Sequence, residues 1–216
     1  MRLELDHLVV AARTLDEGVR WCETTLGATP GSGGKHPLMG THNRLLRIAS
    51  DAFPASYLEI IAIDPAAPPP ACARWFDLDR LDLAAGPRLV HAVARTTSLD
   101  RALQALAAMG IDGGRALEAS RDTPAGLLQW RIAVRDDCAR PGDGRLPTLI
   151  EWGLMHPAAS MADGGVSLHS LVWRGWPAAA RAVLSLANAG HADDDGHATI
   201  EARLATPRGM ITLRSS

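Results

Sequence analysis

Three short apolar runs each carry a histidine where a plain core strand would carry another aliphatic residue: Leu5-Asp6-His7-Leu8-Val9-Val10, Arg88-Leu89-Val90-His91-Ala92-Val93-Ala94 and Val166-Ser167-Leu168-His169-Ser170-Leu171-Val172. Each is followed by a helix-like stretch that stops at Gly27, Gly110 or Gly190, at nearly the same distance from its histidine. Recurrence of this kind predicts one supersecondary unit used more than once. In the first copy, Thr14 and Glu17 read as a capping box. Leu15, Val19, Cys22 and Leu26 make one apolar stripe, and Gly27 is placed to end the helix in the left-handed conformation. Residues 28–41, rich in Gly, Pro and Ser, predict a long connection with room for a ragged strand, the kind of segment that tends to carry function.

Strands follow at Asn43–Ile48 and Tyr57–Ile63, completing a βαβββ unit over residues 1–64. Pro65, Pro68, Pro69 and Pro70 make residues 65–87 a linker, because proline lacks the amide donor that a helix interior or central strand needs; a short helix is expected at Ala73–Leu78. The second unit, residues 88–156, repeats the order. A strand holds His91, a helix carries Leu99, Leu103 and Leu106 up to Gly110, and strands fall at Ala116–Ser120, Leu127–Val134 and Pro147–Gly153. Residues 157–216 give a partial third unit, βαββ, with a strand at Leu168–Trp173, a helix from Pro177 to Ala189, and strands at Ala198–Ala205 and Gly209–Leu213.

Composition narrows the function. The chain has 216 residues, 47% hydrophobic and 21% charged, which are globular values that exclude wholesale disorder. Its net charge of −2 offers no basic field for nucleic acid or anionic lipid. No apolar stretch reaches the length of a membrane span, and Glu4 and Asp6 break the run a signal peptide would need. A cytoplasmic protein with a small-molecule partner, and neither nucleic acid nor membrane, is expected; homodimerisation stays open. Cys22, Cys72 and Cys138 are odd in number and lack metal-type spacing, which argues against a disulfide framework.

Candidate chemistry comes from charges inside apolar strands. Glu59 in Tyr57-Leu58-Glu59-Ile60-Ile61 and Glu151 in Leu149-Ile150-Glu151-Trp152 are costly to bury unless a cation or donor set neutralises them. Each unit therefore offers one histidine on its first strand and one glutamate on its last. If two units face each other across a pseudo-twofold axis, His7, Glu59, His91 and Glu151 can converge. Two imidazoles and two carboxylates suit a divalent metal, with Ni, Co, Zn, Mn and Fe all allowed by ligand type. The alternative is that the histidines are satisfied core residues and the glutamates pair with arginines. His169 has no matching glutamate and reads as structural, while His156, His191 and His197 fall in polar stretches and read as surface residues. His36, His42 and Asn43 lie where a loop feeds a strand, and are candidates to touch a substrate.

The opening Leu-Asp-His-Leu-Val-Val, the Tyr-Leu-Glu-Ile-Ile strand and the paired βαβββ pattern resemble the vicinal-oxygen-chelate superfamily, which includes glyoxalase I, extradiol dioxygenases and bleomycin-type resistance proteins. Within it, Gly40-Thr41-His42-Asn43, Leu149-Ile150-Glu151-Trp152 and the ending Ala202–Gly209 resemble the glyoxalase-like domain subgroup. The resemblance implies an α+β fold in which paired βαβββ modules form a curved mixed sheet around a cavity. By likeness to glyoxalase I it implies a metal held by His7, Glu59, His91 and Glu151, with Glu59 or Glu151 as the base of a lyase or isomerase acting on a molecule with vicinal oxygens. An extradiol-type dioxygenase and a metal-free binding or resistance protein are the alternatives. The third partial unit is foreign to glyoxalase I, and no basic set is placed for the carboxylates of glutathione.

Overall fold

The computed structural model describes residues 1–124, 126–192 and 199–215. In the first half, β1 (Arg2–Ala11) leads into α1 (Leu15–Trp21), then β2 (Gly31–His36), β3 (Thr41–Arg47) and β4 (Tyr57–Ile63). The second half runs β5 (Arg88–Arg95), α2 (Leu99–Ala108), β6 (Arg115–Thr123), β7 (Gly126–Val134) and β8 (Thr148–Trp152). Both halves are βαβββ units. Thr14 Oγ1 accepts from Glu17 N at 3.1 Å, but the Glu17 carboxylate bonds Arg13 N rather than closing a reciprocal box. One wide turn at Cys22–Leu26 follows, and Gly27 ends the helix at φ 73°.

These strands form one sheet in the order β2-β3-β4-β1-β5-β8-β7-β6. The first strand of each half pairs parallel with the last, β1 with β4 and β5 with β8, while β1 and β5 run antiparallel at the centre. Sister units related in this way place the pseudo-twofold axis at the Leu8–Ala92 pair, between His7 and His91, in the expected α+β arrangement of paired modules. Because its central strands are covered on both faces, they read as near-continuous apolar runs.

The two faces bury different clusters. Leu8, Val10, Leu58, Ile60, Ala92, Ala94 and Leu149 pack outward with Leu99 and Leu106 of α2. Val9, Ala11, Ile61, Val93, Ile132 and Ile150 point into the concave side, where Phe76 joins them. The third unit covers the outer face. Its β9 (Ser167–Arg174), β12 (Thr199–Thr206) and β13 (Gly209–Arg214) contribute Leu168, Leu171, Trp173, Ile200, Ala202, Leu204 and Leu213 to the outer cluster. These strands therefore stiffen the central strands from behind.

Two expectations are corrected in this region. The helix expected to reach Ala189 ends early, as α3 (Ala178–Val183), and Leu184 turns extended. The chain instead pairs β10 (Ser185–Leu186) with the start of β1, burying Leu184 and Leu186, and runs β11 (Ala189–Ala192) parallel to β9. Residues His197 and Ala198 lie outside the described residues. The second correction concerns cysteine. Cys72 of the linker and Cys138 before β8 form a disulfide that closes a 66-residue separation, so an odd total did not exclude a crosslink. Cys22 is the free, buried thiol. No helix among the described residues is long and apolar enough to cross a membrane.

Candidate active site

The concave side ends in a cavity of about 40 Å³. His7 comes from β1, Asn43 from β3, and Tyr57 and Glu59 from β4; Trp75 and Phe76 of the linker and Trp130, Ile132, Ile150 and Trp152 of the second half close the other walls. Leu45, Arg121, Leu128 and Pro157 line both this cavity and a groove of about 1030 Å³ that adjoins it. Roughly 10–15 Å³ admits one water, so the closed end takes a small polar fragment and the groove takes the rest of a ligand.

A chain of charges runs through the closed end. Asp6 is fully buried and accepts from His7 Nδ1 at 2.7 Å, Trp152 Nε1 at 2.8 Å and His156 Nε2 at 3.0 Å. On the other side of the imidazole, His7 Nε2 stands 3.5 Å from Glu59 Oε2. Asn43 Nδ2 donates to Glu59 Oε1 at 2.6 Å, and Asn43 is held in turn by Gly34 N donating to its Oδ1 at 2.7 Å. Tyr57 stacks on the His7 ring at 4.7 Å.

Burial and charge oppose each other here. Burial would lower the His7 value, but hydrogen bonds and charges from Asp6 and Glu59 outweigh it and raise the imidazolium to about 9. Burial would raise Glu59, yet the bond and charge of His7, with help from His36 and Asn43, leave it below its ordinary value. Burial would raise Asp6 as well, and His156 and His7 together hold it below the usual carboxylate range. His36 is lowered, chiefly by burial. At neutral pH the end of the cavity therefore holds a protonated imidazole between two carboxylates, beside a neutral one.

The candidate residues separate into two groups. His7, Glu59, His36 and Asn43 line the cavity together, with His36 Nε2 3.4 Å from Asn43 Nδ2. The rest lie elsewhere. His42 is on the other face of β3, where alternation puts it opposite Thr41 and Asn43. His91 is fully buried, its Nε2 accepting from Thr148 N at 3.2 Å, and it is wedged between Phe76 and Trp173 instead of facing His7. Burial holds it well below its ordinary value. Glu151 faces outward, accepting from Leu99 N at 3.1 Å and pairing with Arg131 at 3.2 Å. Its neighbours Ile150 and Trp152 take the inward positions.

The residues present do not fit the four-ligand metal set. Two of its members face each other in the cavity and two do not reach it, and among the described residues no group of three or more His, Cys, Asp or Glu is arranged to hold a metal ion. Asp6, Tyr57, Arg121 and His156 belong to the site or its support without having been singled out. For His156 the surface reading is corrected: it reaches the buried Asp6. The signal was present in Asp6, a carboxylate in an apolar strand beside a histidine, which burial obliges to find donors.

The sequence model of a family described as glyoxalase-like domain matches residues 5–187. No curated protein matches the chain in sequence. Among solved structures, a hypothetical protein from Staphylococcus aureus aligns at TM-score 0.55 with 13% identity, covering 99% of this chain and 86% of that one. Methylmalonyl-CoA epimerases from Mycobacterium tuberculosis (TM-score 0.43, 19% identity, 68% of this chain and 85% of that one) and Streptomyces coelicolor (0.46, 18%, 70% and 96%) are also similar.

Proposed function

We propose, from the premise that this chain belongs to the glyoxalase-like domain family of the vicinal-oxygen-chelate superfamily, that it is an isomerase or lyase moving a proton on a small molecule with neighbouring oxygens. Glu59 is the general base. The observation that carries this is the buried Asp6–His7–Glu59 array at the closed end of the cavity. Glu59 is ionised, shielded from bulk water and fixed by Asn43, so its Oε2 is poised to take a proton from a carbon next to a carbonyl. His7 Nε2–H, charged and held in place by Asp6, can turn from Glu59 to the carbonyl oxygen and stabilise the charge that develops there. The proton then returns from Glu59 to carbon, on the same or the neighbouring atom. No step passes through a metal.

The test is deuterium uptake at carbon, followed by proton NMR in D2O, over a panel of hydroxyacetone, lactaldehyde, pyruvate and 2-oxobutyrate. Exchange of at least one member by the parent, lost about a hundred-fold or more in Glu59→Gln, supports the reading. Undiminished exchange in Glu59→Gln overturns it. Saturable binding of the panel with no exchange at all favours a binding protein instead.

A further inference from the structure

Two hydrogen-bond donors at the cavity have nothing to donate to. Arg121 lines the junction of cavity and groove, and its Nε is buried with no hydrogen-bond partner; Trp75, which lines the same cavity, has a buried Nε1 in the same state. Buried donors are nearly always satisfied, and an orphan at a ligand cavity marks a place where a ligand supplies the acceptor. The Arg121 guanidinium also has no ion-pair partner among the described residues, unlike Lys35 in the same groove, which binds Asp64 at 2.8 Å. Asp122 and Asp163 are the carboxylates of the groove, and neither lines the closed cavity.

Gly34 of β2 makes room for this cation. A Cβ on Gly34 would stand 1.9 Å from Arg121 Nη1, so only a residue without a side chain lets the guanidinium cross the sheet edge at this height. The Gly34 amide meanwhile holds Asn43, and through it Glu59. One residue thus fixes the spacing between the cation and the base.

We infer that Arg121, with Trp75, is an anion subsite, and that the substrate carries an anionic oxygen group, the carboxylate of a small 2-oxo or 2-hydroxy acid or else a phosphate ester, within two bonds of the carbon that Glu59 works on. This deepens the proton-transfer reading and rests on it. A planar guanidinium fork suits such a group through paired, charge-assisted bonds. The closed cavity is otherwise apolar or occupied by groups already bonded to one another.

The experiment titrates the parent with pyruvate while following tryptophan fluorescence, to which Trp75, Trp130 and Trp152 at the cavity contribute. Saturable change is expected in the parent, with Kd raised tenfold or more in Arg121→Gln and less in Arg121→Lys. Gly34→Ala, which keeps the arginine in the sequence but displaces its guanidinium, is expected to raise Kd comparably without lowering the melting temperature. Inorganic phosphate as competitor separates the two sources: displacement of pyruvate points to a phosphate ester and its absence to a carboxylate, either result upholding the anion site. An unchanged Kd in Arg121→Gln, or equal binding of acetone, overturns it. Glu59→Gln keeps pyruvate binding and loses exchange, so a chain that binds pyruvate through Arg121 but never exchanges it upholds the subsite and refutes the base.

Discussion

Replacing Asp6 by asparagine tests the electrostatics of the site. Asp6 is buried among three donors, and its charge is a main reason His7 keeps a proton up to about 9. In the unfolded chain a histidine releases that proton near pH 6.5. A group whose folded value is raised contributes fully below the unfolded value and loses the contribution as pH climbs to the folded one. At ~1.4 kcal/mol for each pH unit, the window from 6.5 to about 9 is worth about 3 kcal/mol. In Asp6→Asn the new amide would turn its NH2 or a neutral oxygen to His7 Nδ1, and the imidazole, still buried and left with Glu59 as its carboxylate partner, would release its proton at a lower pH than in the parent. The assay is urea unfolding of parent and Asp6→Asn between pH 6 and 9.5. The stability gap is expected to be widest near pH 6 and to shrink by up to about 3 kcal/mol by pH 9.5, since Glu59 keeps its share of the raised value in both proteins. A gap independent of pH would show His7 neutral in the parent, and the imidazolium between two carboxylates would have to be abandoned.

Glu151→Gln is expected to leave proton exchange within twofold of the parent, since that carboxylate serves Leu99 N and Arg131 behind the sheet; a loss like that of Glu59→Gln would return it to the site. Cys138→Ser is expected to cost up to about 4 kcal/mol in chemical denaturation, the loop-closure value for a 66-residue separation, and unchanged stability would show the crosslink unformed in the parent. Native protein is expected to resist iodoacetamide at Cys22, whose thiol burial pushes up to about 12, whereas the unfolded protein labels readily by mass spectrometry. Elemental analysis of tag-free protein is expected to find no stoichiometric divalent metal, and EDTA to leave exchange unchanged; tightly bound stoichiometric metal lost in His7→Ala would show that the cavity residues hold a metal.

Much of the fold was legible because the two halves are written in one pattern. His7 and His91 open sister strands, Gly27 and Gly110 end sister helices, and the proline run separates them. What the pattern hides is phase. Tyr57, Glu59 and Ile61 point inward, whereas in β8 the inward set is Thr148, Ile150 and Trp152, one residue out of step, so Glu151 emerges on the helix side. Since both faces of these strands are buried, no polar alternation marks which residues face in. His91 is displaced by a bulge: Val9 pairs with His91 but Val10 with Leu89, leaving Val90 as the extra residue. Neither slip changes the composition of its strand. The partners of Asp6 were equally hidden, because Trp152 and His156 are far along the chain and only the closed sheet brings them close.

The strands of the third unit serve the site from behind, while its opening segment, from Pro157 to Gly164, lines the cavity and the groove. By packing Leu168, Trp173 and Leu204 against the outer face of β1 and β5, they hold rigid the two strands whose inner faces carry the site. Rigid support matters for a base and an acid that must be placed to within a fraction of an ångström.

The most direct measurement is a crystal structure of the protein with oxalate, a mimic of the planar enolate that deprotonation of a 2-oxo acid produces. One carboxylate of oxalate is expected in the closed cavity, accepting from His7 Nε2 with Glu59 alongside. Oxalate found on a metal ion held by His7 and Glu59, or only in the outer groove with the His7–Glu59 contact intact, would contradict it.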